Sequence, residues 1–210
     1  MTMRKTGRAR GRSTKVPIVG VVLGVIALAF VAAVVFGGGG GPSDFTAGEP
    51  VIEGPALPSA GDATDLAIGM IAPVVEGTGF NSEPVVIQHE GTAKGIVFLA
   101  HWCPHCRAEV PRVQEWLDGG GTVEGAEIIS VATANEETQV NYPPSDWLIG
   151  EGWTSPVIVD SVDSSVFQAY GAGGFPYWVF LDADGVVVRR TQGELSTDAL
   201  VSLLREAAGL

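Results

Sequence analysis

Cysteine is nearly absent. The 210-residue chain holds two, Cys103 and Cys106, with only Pro104 and His105 between them. No other cysteine exists, and the remaining histidines are His89 and His101, so the second half of a structural zinc site is missing. A disulfide closing so short a loop removes little unfolded-state entropy, which makes a structural staple a poor use of the pair. Acid is missing before Asp44, and base is scarce after Lys15. Arg4, Lys5, Arg8, Arg10, Arg12 and Lys15 are six of the 12 basic residues; the other six face all 24 acids, a net charge of −18 beyond the first 15 residues. Phosphate would be repelled by that part, so nucleic acid is excluded as its partner. No internal repeat is present.

The one long run without charge is Val16 to Phe36, VPIVGVVLGVIALAFVAAVVF. As a helix it would be about 31 Å long, enough to cross a hydrocarbon core. The basic residues 1–15 before it read as a cytoplasmic tail, which places the C-terminal part outside the membrane. A cleaved signal peptide is the alternative, with Val31-Ala32-Ala33 as a weak cleavage site, but the run is longer than such a region requires. Residues 37–65 begin with five glycines and continue rich in Pro, Gly and acid. That composition reads as a flexible tether, leaving 66–210 as the folded domain. An extracytoplasmic domain whose two cysteines are both committed to one motif points to a working redox pair.

The motif itself is Phe98 to Pro111, FLAHWCPHCRAEVP, where an apolar strand gives way to a helix. With Pro104 in the first turn, the unpaired N–H groups and the helix dipole point at the Cys103 sulfur and favour a thiolate. A three-residue offset places Cys106 on the same face, within disulfide reach. Cys103 is thus expected to be the exposed attacking sulfur and Cys106 the recessed resolving one. His105, when protonated, would add positive charge near the thiolate and favour the reduced form.

Alternating strands and helices follow one another from Leu66. Strands are expected at 83–88, 95–100, 127–132, 157–160, 177–181 and 186–190, the last two forming a hairpin across Asp182-Ala183-Asp184-Gly185. Helices are expected from Pro104 to Asp118, kinked at Pro111, and at 145–150, 164–170 and from Ser196 or Thr197 to Ala208. The class is α/β, a central mixed sheet covered by helices on both faces.

WCPHC after an apolar strand, Pro111 five residues beyond Cys106, and GFPYWVFLDADGVVV with Pro176 opening a hairpin strand together resemble the thioredoxin fold. The closer resemblance is to membrane-anchored TlpA/ResA-like thiol-disulfide oxidoreductases, because Ile68 to Gly77, IGMIAPVVEG, is similar to their AhpC/TSA-related opening segment. The resemblance implies a cis bond before Pro176, facing the dithiol, with Phe175 and Pro176 as the platform for a bound substrate strand. It also places Glu109 where that branch carries a glutamate near the site, as an active-site base; the alternative is a solvated helix residue. Val97 stands where thioredoxin has a buried aspartate, so that proton route is absent. The Pro-His pair is shared with the oxidant DsbA, whereas the surrounding residues resemble the reductive branch, and both directions stay open.

Trp102 reads as an apolar rim for substrate or as packing, and Trp116, Trp147, Trp153 and Trp178 as core or cover. His101 either tunes the site, faces solvent, or joins the cysteines in holding copper. The leading expectation is an enzyme exchanging disulfides with protein thiols, served by a membrane or extracytoplasmic redox partner, with no cofactor and no metal. The alternative is a copper-binding chaperone using the same cysteines. Thiol peroxidase is disfavoured because Ala100 occupies the position of the peroxiredoxin threonine.

Overall fold

The computed structural model describes residues 49–61 and 65–210. The proposed tail and membrane span, and residues 37–48 of the proposed tether, lie outside the described residues. Among the described residues, eight strands and four helices follow in order. They are β1 (Val51–Glu53), β2 (Val74–Thr78), β3 (Pro84–Ile87), β4 (Ala93–Leu99), α1 (Pro104–Asp118), β5 (Ala126–Ala132), α2 (Pro144–Gly150), β6 (Val157–Val159), α3 (Ser165–Ala169), β7 (Tyr177–Leu181), β8 (Val187–Gln192) and α4 (Thr197–Ala208).

Five strands form the central sheet in the order β6-β5-β4-β7-β8. β4 runs parallel to β5 and antiparallel to β7, so the sheet is mixed, as expected of a thioredoxin-like fold. Every residue of β4 is buried, which explains its apolar run from Gly95 to Leu99, since both faces need side chains that prefer to leave water; Lys94, near its start, is satisfied by donating to Thr92 O at 2.9 Å. Alternate residues serve opposite faces. Val97, Leu99, Trp178 and Phe180 join Val110 and Val113 of α1 and Leu200 and Leu204 of α4 in one cluster. Ile96, Phe98, Tyr177 and Val179 join Val166 and Tyr170 in the other.

That second cluster also takes in Val75, Val85, Ile87 and Leu57. They belong to a part of the fold that composition concealed. β1, β2 and β3 make a separate antiparallel sheet, and Leu57 is 4% exposed, so residues 49–61 are not the coreless tether read from their Pro, Gly and acid content. The segment docks through named bonds. Leu57 N–H donates to Ala169 O at 2.8 Å, and Arg190 Nη1 donates to Pro58 O at 2.9 Å and to Tyr170 O at 2.9 Å. Gly171, at φ +61°, lies where a Cβ would meet Pro58 O at 2.3 Å, so only glycine permits this approach.

Asp65 completes the clamp by pairing with Arg190, whose Nε donates to Oδ2 at 2.8 Å and whose Nη2 also reaches the carboxylate. The hydrogen bonds from Arg190 hold the Asp65 carboxyl below the usual carboxylate range, against the opposing effect of burial. The Arg190 side chain is 1% exposed, so removing it leaves a carboxylate and two carbonyls without their donor. Arg190→Met is expected to destabilise the domain by about 3–5 kcal/mol, read from urea denaturation. A loss under 1 kcal/mol would mean the segment 49–61 is not held by this clamp.

α1 runs unbroken through Pro111 as a single helix. The short strands β1 and β2 had no counterpart in the sequence expectations, whereas the other elements lie within a few residues of theirs.

Candidate dithiol site

β4 delivers the chain to the site. Its last residue, Leu99, leads into a turn in which Cys103 N–H donates to Ala100 O at 3.0 Å, and Cys103 becomes the N-cap of α1 with Pro104 in the first turn. Cys103 has extended backbone angles and no side-chain cap, so its sulfur is left beside the helix start. Cys106 lies one turn on and accepts the Ala100 N–H at 3.5 Å. Both are free thiols.

The relative order of exposure follows the expectation, but the degree does not. Cys106 is fully buried, and Cys103 is 6% exposed rather than open to solvent. The reason is aromatic cover and a backbone partner. Trp102 and Phe175 pack against the cluster that contains both sulfurs, with ring centroids 5.7 Å apart edge to face. Trp102 is itself fixed by donating its indole N–H to Ala134 O at 2.9 Å. The Cys103 thiol donates to Phe175 O at 3.7 Å, and the Phe175–Pro176 bond is cis. Burial pushes the Cys106 thiol far up from its ordinary range, with the nearby Cys103 and the Glu109 charge adding to the rise.

Glu109 is 1% exposed, which removes the reading of it as a solvated helix residue. A buried carboxylate needs donors, and it has several. Trp178 Nε1 donates to Oε1 at 2.9 Å, Arg112 Nη1 donates to Oε2 at 2.7 Å, and Leu195 N–H donates to the same group at 3.1 Å. Burial raises the Glu109 carboxyl above its ordinary range, and these three donors pull against that rise. Trp178, read from the sequence as core or cover, is buried and also contributes a polar contact to Glu109; its indole N–H was the available signal.

His105 is exposed and does not stand as a lone cation beside the sulfur. Its Nδ1 donates to Glu194 Oε1 at 2.8 Å. That bond, followed by one from Arg112, holds the Glu194 carboxyl below the usual range. Neither Glu194 nor Arg112 was singled out from the sequence, because nothing local marks two charged residues 82 positions apart as partners.

His101 is fully buried, contrary to the solvent-facing option. Nδ1 donates to Val140 O at 2.7 Å and Nε2 accepts the Glu136 N–H at 3.2 Å, an arrangement that requires the neutral ring. Both nitrogens are spent on the loop after β5, so neither is free for copper. His89 lies apart from the dithiol, near Gly185.

The Redoxin family model matches residues 71–206. This chain belongs to the Redoxin family. Within it, the chain is similar to the thiol-disulfide oxidoreductase ResA of Oceanobacillus iheyensis, 32% identical over 119 residues, which cover 57% of this chain and 59% of that one. It is also similar to sporulation thiol-disulfide oxidoreductase A of Bacillus subtilis, 23% identical over 118 residues, covering 56% of this chain and 70% of the relative. The crystal structure of StoA from Bacillus subtilis shares the fold, with a TM-score of 0.55 and 20% identity over 65% of this chain and 98% of that one. The TlpA/ResA-like resemblance read from the motif is thus supported by named relatives and by the thioredoxin-like architecture.

Burial depresses the pKa of His101, so its neutral form is favoured in this Redoxin domain. Protonation would turn Nε2 from acceptor to donor against the Glu136 N–H. The sign follows: the contact contributes fully above the unfolded histidine value of about 6.5 and is lost as pH falls from there through the lower folded value. The protection factor of the Glu136 amide, its exchange rate taken relative to the intrinsic rate at each pH, is expected to fall over that acid window. Unchanged protection down to pH 4 would show that the ring does not hold the loop.

Proposed function

We propose that this chain is an extracytoplasmic thiol-disulfide oxidoreductase acting on protein thiols and disulfides through Cys103 and Cys106. The observation that carries this reading is the pairing of a helix-capping sulfur that keeps a little exposure with a second, fully enclosed sulfur one turn away. Such asymmetry suits two-step exchange. The Cys103 thiolate attacks a substrate disulfide to give a mixed disulfide and release one substrate thiolate. Cys106 then attacks Cys103, closing the internal disulfide and releasing the second substrate thiol. The reverse sequence oxidises a dithiol substrate. Net direction follows from the reduction potential of the pair relative to its partners.

Phe175, Pro176 and Trp102 are proposed as the substrate platform, since the cis Phe175–Pro176 bond brings the Phe175 carbonyl to the Cys103 thiol and Trp102 packs edge to face on Phe175. The Phe175 carbonyl that accepts the Cys103 thiol is a backbone group a substrate strand can also engage. Pro104 preorganises the helix start beneath the attacking sulfur. His105 sets the local charge together with Glu194. Glu109 is proposed as the base that takes the Cys106 proton during resolution, supplying from the helix the carboxylate that Val97 does not supply from the strand.

The copper-chaperone alternative gains no ligand from His101, whose two ring nitrogens already bond to backbone. Cys103→Ser is expected to abolish disulfide exchange, and Cys106→Ser to accumulate mixed disulfides visible on non-reducing gels. Normal turnover by the Cys103 variant would sink the mechanism.

We further propose that Val16 to Phe36 anchors the chain, with the basic tail in the cytoplasm and the domain outside, as the hydropathy and charge asymmetry support. No helix among the described residues is long and apolar enough to cross a membrane. The full-length chain is expected in the membrane fraction, with its domain accessible to protease from outside. Recovery of only a shortened, freely soluble form would instead support cleavage of the segment.

A further inference from the structure

Four charged or titratable side chains form a hydrogen-bonded line from the surface to Glu109, one turn beyond the resolving cysteine. His105, placed between the two cysteines, donates to Glu194 Oε1 at 2.8 Å. The other oxygen of Glu194 accepts from Arg112 Nη2 at 2.7 Å. Arg112 Nη1 donates to Glu109 Oε2 at 2.7 Å and to Leu195 O at 2.7 Å. Glu109 lies one turn beyond Cys106 on α1, and its charge acts on that thiol. The connection from β8 to α4, which carries Glu194 and Leu195, is thereby bound to the helix that bears the dithiol.

We infer that Arg112 and Glu194 are positioning residues for the dithiol reaction: Glu194 grips His105 and Arg112 at once, and Arg112 holds the Glu109 carboxylate beside Cys106. The inference rests on the oxidoreductase reading above, with Glu109 as proton acceptor. A planar guanidinium suits the task because its fork meets two carboxylates and a carbonyl in fixed directions, which an ammonium cannot reproduce. The groups facing Glu109 are Cys106 and Arg112 from α1 and Glu194 from the β8–α4 connection, while β7 contributes the indole of Trp178, which does not titrate.

The step served is resolution. The Cys106 S–H proton passes to the Glu109 carboxylate as the sulfur's electron pair forms the bond to Cys103. The bond between Cys103 and the substrate sulfur breaks, its pair leaves on that sulfur, and the departing thiolate takes a proton from solvent. Glu109 can accept a proton only while it is ionised, and Arg112 is its one cationic partner among the described residues.

Glutamate-selective carboxyl NMR on the full-length chain, with the Glu109 signal assigned by E109Q, tests this directly. R112M is expected to raise the Glu109 midpoint by about 1–3 pH units, and R112K to recover part of that shift. The acid limb of the rate of mixed-disulfide resolution should move to higher pH by the same amount. E194Q separates positioning from simple charge, because the Glu194 charge by itself pushes Glu109 upward. As an anchor for Arg112, its loss is expected to raise the midpoint when Arg112 is present and to lower it in the R112M background. A fall in both backgrounds would overturn the positioning role of Glu194, and an unmoved midpoint in R112M would overturn that of Arg112. Glu194 is one-third exposed, so E194Q is expected to fold even if R112M does not. A wild-type chain that formed no mixed disulfide would overturn the oxidoreductase reading, while the carboxyl titrations would still decide the network.

Discussion

A buried carboxylate must be surrounded by donors or it does not stay buried in charged form, and Glu109 imposes that requirement on the middle of this fold. Its donors come from three places: Arg112 one turn further along α1, Trp178 in β7, and the backbone of Leu195 ahead of α4. Satisfying one side chain therefore fastens the helix that carries Cys106 to the sheet beneath it and to the last helix beside it. The same carboxylate lies one turn beyond Cys106 on that helix, and its charge adds to the rise of the Cys106 thiol. Structural and chemical demands coincide at one residue.

The dithiol is enclosed more than a nucleophile open to solvent would be, and its cover is itself organised. Trp102 is pinned by Ala134, and the loop that carries Ala134 is held by both nitrogens of the neutral His101 ring. Phe175 meets Trp102 at its edge and Phe167 at 4.8 Å. Phe175 also supplies the backbone carbonyl that accepts the Cys103 thiol, so one residue serves both the aromatic packing and the sulfur. On the acidic domain, Arg112 pairs with both Glu109 and Glu194, and Glu194 also accepts a hydrogen bond from His105.

Much of the sheet was legible because its signals are local. β7 and the Gly95–Leu99 part of β4 are continuous apolar runs, β5 is mostly apolar from Ile128 on, as buried strands tend to be, and the hairpin between β7 and β8 declares itself through Asp182-Ala183-Asp184-Gly185. β1 and β2 were not legible. They are short, and their order comes from pairing with each other, from the seat of Leu57 in the core and from the clamp of Arg190 upon Asp65 and Pro58. A segment rich in Pro, Gly and acid looks like a tether until a distant arginine supplies its partner.

The sequence alone determined the chemistry available to this Redoxin protein: two thiols, their spacing, the helix start that receives them and the apolar strand that precedes them, since each depends on neighbours in the chain. Only the tertiary structure decided what surrounds those thiols. The closing of Trp102 and Phe175 over Cys103, the neutral ring of His101, and the line from His105 to Glu109 all join residues tens of positions apart. Charge and hydrogen bonding act through space, and a pattern read along the chain carries no record of which distant side chain will fill the next bond.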